Sequence, residues 1–86
     1  MKFVKSEKLT KNGKIEYYVY LLDVLIIKFY IIHMDSTKKN YKTEYEIDFR
    51  DYENRQITIE YGSNTVEKTV KIAKKICKRI IITEVI

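Results

Sequence analysis

The sequence predicts an α+β fold, in which an antiparallel β-meander of four strands is packed by one amphipathic helix. Three observations support this prediction. Apolar and polar residues alternate over much of residues 2–61, an Asn-Gly pair separates two such segments, and apolar residues after Gly62 recur at helical spacing. With 86 residues the chain is expected to be a single domain, residues 1–86.

The first two strands are expected to meet at Asn12-Gly13. A type I′ turn needs positive φ at both central residues, which Asn-Gly tolerates better than most pairs, so a two-residue loop is predicted. The first strand then runs from Lys2 to Leu9, and the loop fixes its register. The expected partners are Leu9 with Glu16, Val4 with Leu21, Phe3 with Leu22 and Lys2 with Asp23.

The stretch Ile15–His33 holds most of the large apolar side chains, and it is longer than an ordinary strand. It is either one long strand with a bend or bulge at Leu22-Asp23-Val24 or two strands broken there. The face from Ile15 to Ile31 is typical of a core. The face from Glu16 to Ile32 carries more apolar surface than a solvated sheet face needs.

A second hairpin is predicted from strict alternation over Tyr41–Arg50 and again over Gln56–Tyr61, with residues 51–55 as the turn. One side of each segment is apolar and is expected to point inward. The inward residues are Tyr41, Thr43, Tyr45, Ile47, Phe49, Ile57, Ile59 and Tyr61.

A helix is expected to begin at Asn64, which forms a capping-box pattern with Glu67, or at the competing cap Ser63. Its apolar stripe is Val66, Val70, Ala73, Cys77 and Ile80. From Ile80 to Ile86 the helical period is lost and β-branched residues dominate, so this segment is the candidate for a fifth strand.

Charge is distributed unevenly along the chain. The formal net charge of +5 divides into +4 over residues 1–40, −3 over residues 41–62 and +4 over residues 63–86. The single cysteine cannot form an internal disulfide, which favours a reducing, cytoplasmic setting. The N-terminus lacks an apolar signal region, and Asp23 and Lys28 interrupt the long apolar stretch, so neither a secretory signal nor a membrane span is predicted.

Few residues could carry catalysis or bind a metal. The only histidine, His33, and the only cysteine, Cys77, are expected to be a strand-end imidazole and a packed core thiol. Three carboxylates share one strand face, Glu44, Glu46 and Asp48, with Glu60 expected across the hairpin. A row on one strand does not converge on a cation. We therefore expect no enzymatic activity, no cofactor and no metal site.

The polar side of the predicted helix is almost entirely cationic. Its basic residues are Lys68, Lys71, Lys74, Lys75, Lys78 and Arg79. Such a face is either a solvated surface or a phosphate-binding one. Five of the six are lysine, whereas base reading favours arginine, asparagine and glutamine, so the alternative function predicted here is non-specific nucleic-acid binding.

The second face of the central stretch is the predicted protein interface. Its members are Tyr18, Tyr20, Leu22, Ile26, Tyr30 and Ile32. Tyrosine is enriched at protein interfaces, and one helix covers only one face of a sheet. The other face closes as a small barrel, is covered by a second copy or binds a partner. A homodimer or a protein partner is the expectation.

The leading prediction is a small non-enzymatic intracellular binding protein that acts through protein–protein contacts. The abundance of Ile, Lys, Tyr and Asn, with two Gly and no Pro, resembles that of small proteins from AT-rich genomes, including viral and mobile-element accessory proteins. That resemblance implies an accessory factor that occludes a host protein.

Overall fold

The computed structural model describes residues 1–34 and 43–82. These residues form five strands and one helix, β1 (Lys2–Lys5), β2 (Ile15–Leu21), β3 (Val24–His33), β4 (Tyr45–Asp51), β5 (Gln56–Tyr61) and α1 (Val66–Ile80). The strands lie in one antiparallel sheet in chain order, which confirms the α+β meander.

The sheet has a fifth strand because the central stretch is broken in two, the second of the predicted alternatives. Leu22 and Asp23 have φ of 50° and 62°, and Leu21 pairs with Val24. This is the geometry of a two-residue type I′ turn, which reverses the chain and pairs β2 with β3.

The turn near Asn12-Gly13 is wider than predicted, and the predicted register is wrong. Gly13 has φ of 73°, whereas Asn12 is not among the described residues with positive φ, so this is not a type I′ turn. The loop closes through a bond of 3.1 Å from the Thr10 N–H to the Lys14 carbonyl, and β1 ends at Lys5. Phe3 consequently pairs with Val19 rather than Leu22, a shift of three residues. An odd shift exchanges the faces, so Phe3 packs against the core.

The core lies between one sheet face and α1, as the two apolar stripes predicted. The sheet contributes Val19, Ile27, Phe29, Ile31, Ile47 and Phe49, and the helix contributes Val70, Ala73, Cys77 and Ile80. The Phe29 ring is the centre of this layer, since it stacks on Tyr17 at 4.9 Å and contacts Phe49 at 5.8 Å between ring centroids. We call this side of the sheet the helix-covered face.

The predicted inward orientation of β5 is wrong because of a β-bulge. Arg50 pairs with Gln56, but Phe49 pairs with Thr58, so Ile57 is the extra residue. The one-residue shift places Thr58 and Glu60 on the helix-covered face and turns Ile59 to the opposite face. The bounds of β5 are as predicted, whereas β4 begins at Tyr45, and residues 41–42 of the predicted strand lie outside the described residues.

The predicted helix caps, Asn64 and Ser63, are wrong. Thr65 is the N-cap, and its hydroxyl accepts a bond of 3.1 Å from the Lys68 N–H. The Ser63 carbonyl accepts the N–H groups of Glu44 and Tyr45 at the start of β4, so Ser63 belongs to the connection that precedes the cap.

The segment from Ile80, which was the candidate for a fifth strand, begins with the end of α1. Ile80 is the last residue of α1, and the Ile81 N–H donates to the carbonyls of Cys77 and Lys78. Both isoleucines are buried against the core, so packing outweighs their β propensity. Residues 83–86 lie outside the described residues.

Candidate interaction surfaces

The sheet face opposite α1 is the first candidate surface, and we call it the open face. No described helix or strand crosses it. Its members, inferred from the strand register, are Lys2, Val4, Glu16, Tyr18, Tyr20, Leu25, Lys28, Tyr30, Ile32, Glu46, Asp48, Arg50, Gln56, Ile59 and Tyr61.

The predicted interface residues do not all share this face. Tyr18, Tyr20, Tyr30 and Ile32 lie on it. Leu22 lies at the tip of the β2–β3 turn and is 90% exposed. Ile26 packs against the core, because the register shift between Val19 and Tyr20 leaves it unpaired in a bulge. The prediction of a shared face is therefore wrong for Leu22 and Ile26.

A hydrogen-bonded network occupies the centre of the open face. The Tyr18 hydroxyl donates to Glu16 Oε1 at 2.6 Å, and this bond, with some burial, raises the pKa of Tyr18. The Tyr30 hydroxyl lies 3.4 Å from Asn54 Oδ1 and also within reach of the Glu16 carboxylate. Burial first, and Glu16 second, raise the pKa of Tyr30 to about 12.

An ion pair extends the network towards the β4–β5 turn. Asp48 is only 4% exposed, although alternation predicted an outward side chain. Its Oδ2 accepts from both Nε and Nη2 of Arg50 at 3.1 Å, and Arg50 Nη1 donates to the Asn54 carbonyl at 3.0 Å. Asp48 Oδ1 has no hydrogen-bond partner among the described residues. The two-donor contact from Arg50 offsets part of the cost of burying this carboxylate.

A cavity of about 250 Å³ lies where the β1–β2 turn meets this network. The turn contributes Thr10, Asn12 and Lys14, and the sheet and the β4–β5 turn contribute Tyr30, Asp48, Arg50 and Asn54. Its lining carries charges of both signs that already pair with one another in part, so it does not select one class of ligand.

The outer strand β5 carries the apolar side chains that sequence reasoning placed inward, with Ile59 and Tyr61 on the open face and Ile57 at the bulge. Ile57, Ile59 and Tyr61 are 38%, 47% and 65% exposed. We call these three residues the β5 strip. The sequence signal that could have located them is the turn at residues 51–55. The geometry of this turn, together with the bulge, sets the register between β4 and β5.

The cationic side of α1 is the second candidate surface. Lys68, Lys71, Lys75, Lys78 and Arg79 are exposed, as the helical period predicted. Lys74 is half-buried, and its Nζ lies 5.3 Å from the centroid of the Phe3 ring, a cation–π distance. Packing on the sheet therefore occupies one of the six predicted nucleic-acid contacts.

The residues considered for catalysis are set in different environments. Cys77 is fully buried, and burial raises the pKa of its thiol to about 12, which keeps it protonated near neutral pH. His33 is exposed at the end of β3, with Nε2 at 3.8 Å from Glu44 Oε2 and its ring edge on Tyr45. The absence of enzymatic activity stays a prediction.

The acidic row is not assembled into a metal site. Glu60 pairs with Ile47 on the helix-covered face, so it does not join Asp48 across the hairpin as expected. Within residues 1–34 and 43–82, no three His, Cys, Asp or Glu side chains are grouped to hold a metal ion. None of the described helical segments is long and apolar enough to cross a membrane.

Comparisons with protein-family models, curated proteins and solved structures found no match to this chain.

Proposed function

We propose that this chain is a non-enzymatic binding protein that acts through protein–protein contacts and associates with itself through the β5 strip. The observation that carries the proposal is the exposure of three large apolar side chains on one outer strand. Apolar surface gains about 25 cal/mol for each Å² removed from water. A contiguous exposed group of this kind is typical of an interaction site.

The centre of the open face supports contact with a protein partner less directly. Tyr18 and Tyr30 are half-buried, and their hydroxyls are already hydrogen-bonded within the sheet. Ile32 lies in one cross-strand row with Glu46 and Tyr61, so a partner on the β5 strip would reach it. The role of Tyr18, Tyr20, Tyr30 and Ile32 as an interface stays a prediction, as does occlusion of a host protein by a viral or mobile-element factor.

Light scattering coupled to size exclusion tests the proposal. We expect the wild type to elute as a dimer, and Ile59→Lys to weaken the dimer by about tenfold or more, because it places a charge within the buried apolar contact. Val24→Lys is the matched control, since Val24 is also an exposed apolar strand residue but lies on β3, which β4 separates from β5. A wild type that is monomeric at every concentration would refute self-association.

The second candidate function is non-specific nucleic-acid binding by α1. The observation in its favour is that five basic side chains project into solvent from one 15-residue helix. Contact with about five phosphates predicts a slope of about −4 to −5 for the logarithm of the binding constant against the logarithm of salt concentration.

Fluorescence anisotropy with labelled single- and double-stranded DNA measures that slope. We expect binding at low salt that Lys71→Glu with Lys75→Glu abolishes, whereas Lys8→Glu, which changes an exposed lysine in the β1–β2 loop, has a smaller effect. If neither DNA binds at low salt, the basic side of α1 is a solvated surface.

A further inference from the structure

The outer edge of β5 presents backbone groups as well as apolar side chains. The Gly62 N–H donates to the Tyr45 carbonyl at 2.8 Å, so the backbone of Gly62 points towards β4. Backbone groups of successive strand residues point to opposite edges, so those of Ile59 and Tyr61 point away from the sheet. Among the described residues, β5 pairs only with β4.

The two edge strands of the sheet, β1 and β5, differ in the features that discourage pairing with another chain. β1 has four residues, and the two at its ends, Lys2 and Lys5, are exposed lysines, which discourage pairing with another chain. β5 has six residues without lysine or proline, and its bulge at Ile57 lies near its start. The segment from Thr58 to Tyr61 is therefore a regular and unprotected edge.

We propose that a second copy of this chain pairs with β5 antiparallel, so that two sheets form one continuous sheet of ten strands. This inference rests on the proposed function, because it specifies how the β5 strip is used. The alternative, stacking of two open faces, would bury the charged groups of Glu16, Lys28 and Arg50, and burying charges without new partners is costly. Edge pairing leaves these groups in solvent and satisfies the outward backbone groups.

The register follows from four conditions. Directly paired residues of two neighbouring strands lie on the same face of the sheet. A two-fold axis perpendicular to the sheet therefore lies between one residue and the same residue of the second copy, and we name the axis by that residue. An axis through Glu60 would place two like charges directly opposite each other. An axis through Thr58 would pair the outward backbone of Ile59 with the bulged Ile57. An axis through Tyr61 would pair Ile59 with Ser63, beyond the end of β5. An axis through Ile59 places Glu60 opposite Thr58 and puts the regular residue Ile59 at the centre, so the bulged Ile57 meets Tyr61 only at the two ends of the contact.

This arrangement places both copies of α1 on the same side of the joined sheet. It also makes residue 59 its own cross-strand neighbour, with Cα atoms about 5.5 Å apart, a separation that a disulfide spans. The two copies of Tyr20 would be at least about 33 Å apart, because Tyr20 lies on β2, and seven inter-strand spacings of about 4.8 Å separate the two copies of β2.

Oxidative cross-linking of Ile59→Cys and Tyr20→Cys tests this arrangement, with the wild type, whose Cys77 is buried, as the control for background. On non-reducing gels, we expect Ile59→Cys to form a covalent dimer in high yield and Tyr20→Cys to remain monomeric. Circular dichroism of both variants before oxidation establishes that they are folded.

The outcomes separate the two proposals. If light scattering shows a wild-type dimer but only Tyr20→Cys cross-links, the copies stack by their open faces, and the edge arrangement is overturned while self-association stands. If a wild-type dimer forms and neither variant cross-links, the edge arrangement is likewise overturned. A monomeric wild type with no cross-linking of Ile59→Cys overturns both.

Discussion

Gly62 lies where the end of β5 meets α1, and the space around it excludes a side chain. A Cβ atom there would lie 2.7 Å from Thr69 Oγ1 and 3.0 Å from the Tyr45 carbonyl oxygen, and it would also meet Thr69 Cγ2. Thr69 is fully buried and held by two bonds, since its hydroxyl accepts from the Ser63 N–H and donates to the Thr65 carbonyl. Close backbone approach therefore requires glycine.

We expect Gly62→Ala to lower the free energy of unfolding by about 1–3 kcal/mol, the range for overpacking a well-packed site. Urea titration followed by circular dichroism measures the change. Adding Thr69→Ser removes the nearest methyl group and keeps the hydroxyl, so it should recover part of the loss. An alanine variant as stable as the wild type would show that Thr69 can move aside.

Tyr30 makes the free energy of unfolding depend on pH in the alkaline range. Its folded-state pKa of about 12 is above the ordinary tyrosine value of 10.0, because burial and the Glu16 carboxylate disfavour the phenolate. As pH rises, the unfolded chain loses this proton first, so the contribution of Tyr30 to stability is constant below pH 10 and falls between pH 10 and about 12.

Unfolding free energies measured across that pH range should therefore fall less steeply for Tyr30→Phe than for the wild type. Glu16→Gln removes the charge next to the hydroxyl, so its loss of stability should be shallower and complete at a lower pH. Identical pH profiles for the wild type and Tyr30→Phe would contradict the assignment.

The β2–β3 turn has a backbone geometry that its residues do not favour. Leu22 has φ of 50° and is 90% exposed, yet left-handed backbone costs a leucine about 1–2 kcal/mol relative to residues that tolerate it. Asparagine is among those residues, and Leu22 gives up little packing when it is replaced.

We expect Leu22→Asn to raise the free energy of unfolding by about 1 kcal/mol, as measured by chemical denaturation. Val24→Asn provides the control, because it makes the same kind of change at an exposed strand position without positive φ. A neutral or destabilising effect of Leu22→Asn would mean that the leucine makes contacts that offset its strained backbone.

The elements show which parts of the fold were accessible from sequence. The core stripe of α1 and the part of the β3 stripe from Ile27 to Ile31 were predicted correctly, because burial imposes a period that few other forces disturb. The bulge at Ile26 instead turns Leu25 to the open face. The turns were not predicted correctly. Asn12-Gly13 lacks the type I′ geometry it favours, whereas Leu22-Asp23 adopts that geometry without the usual residues. Strand pairing on both sides, rather than the local preference for positive φ, decides these turns.

The candidate surfaces were also predicted only in part from the sequence. Periodicity located the tyrosines of the open face and the basic side of α1, since each depends on position within one element. The β5 strip was missed because its exposure depends on a one-residue bulge and on the place of β5 at the sheet edge. Neither strand order nor bulge position is encoded in the alternation of a single strand.

At the scale of the whole molecule, the acidic and basic segments of the chain form different surfaces. The acidic segment, residues 41–62, forms β4 and β5, and the basic segment after it forms α1. Arg50 pairs with Asp48 within the acidic segment, while the exposed lysines of α1 face away from the sheet. The net charge of +5 is therefore carried largely by surfaces other than the β5 strip.

The order of strands in the sheet is also the order in which a ribosome makes them. Each new strand can add to the one before it, but the layer that covers Phe29 and Phe49 arrives only with the last described element, α1. Until then the growing chain presents a finished sheet with a bare apolar side, the state most prone to aggregation. A translation product that stops before Val66 would remain in that state, so quality control should remove it even though it contains all five strands.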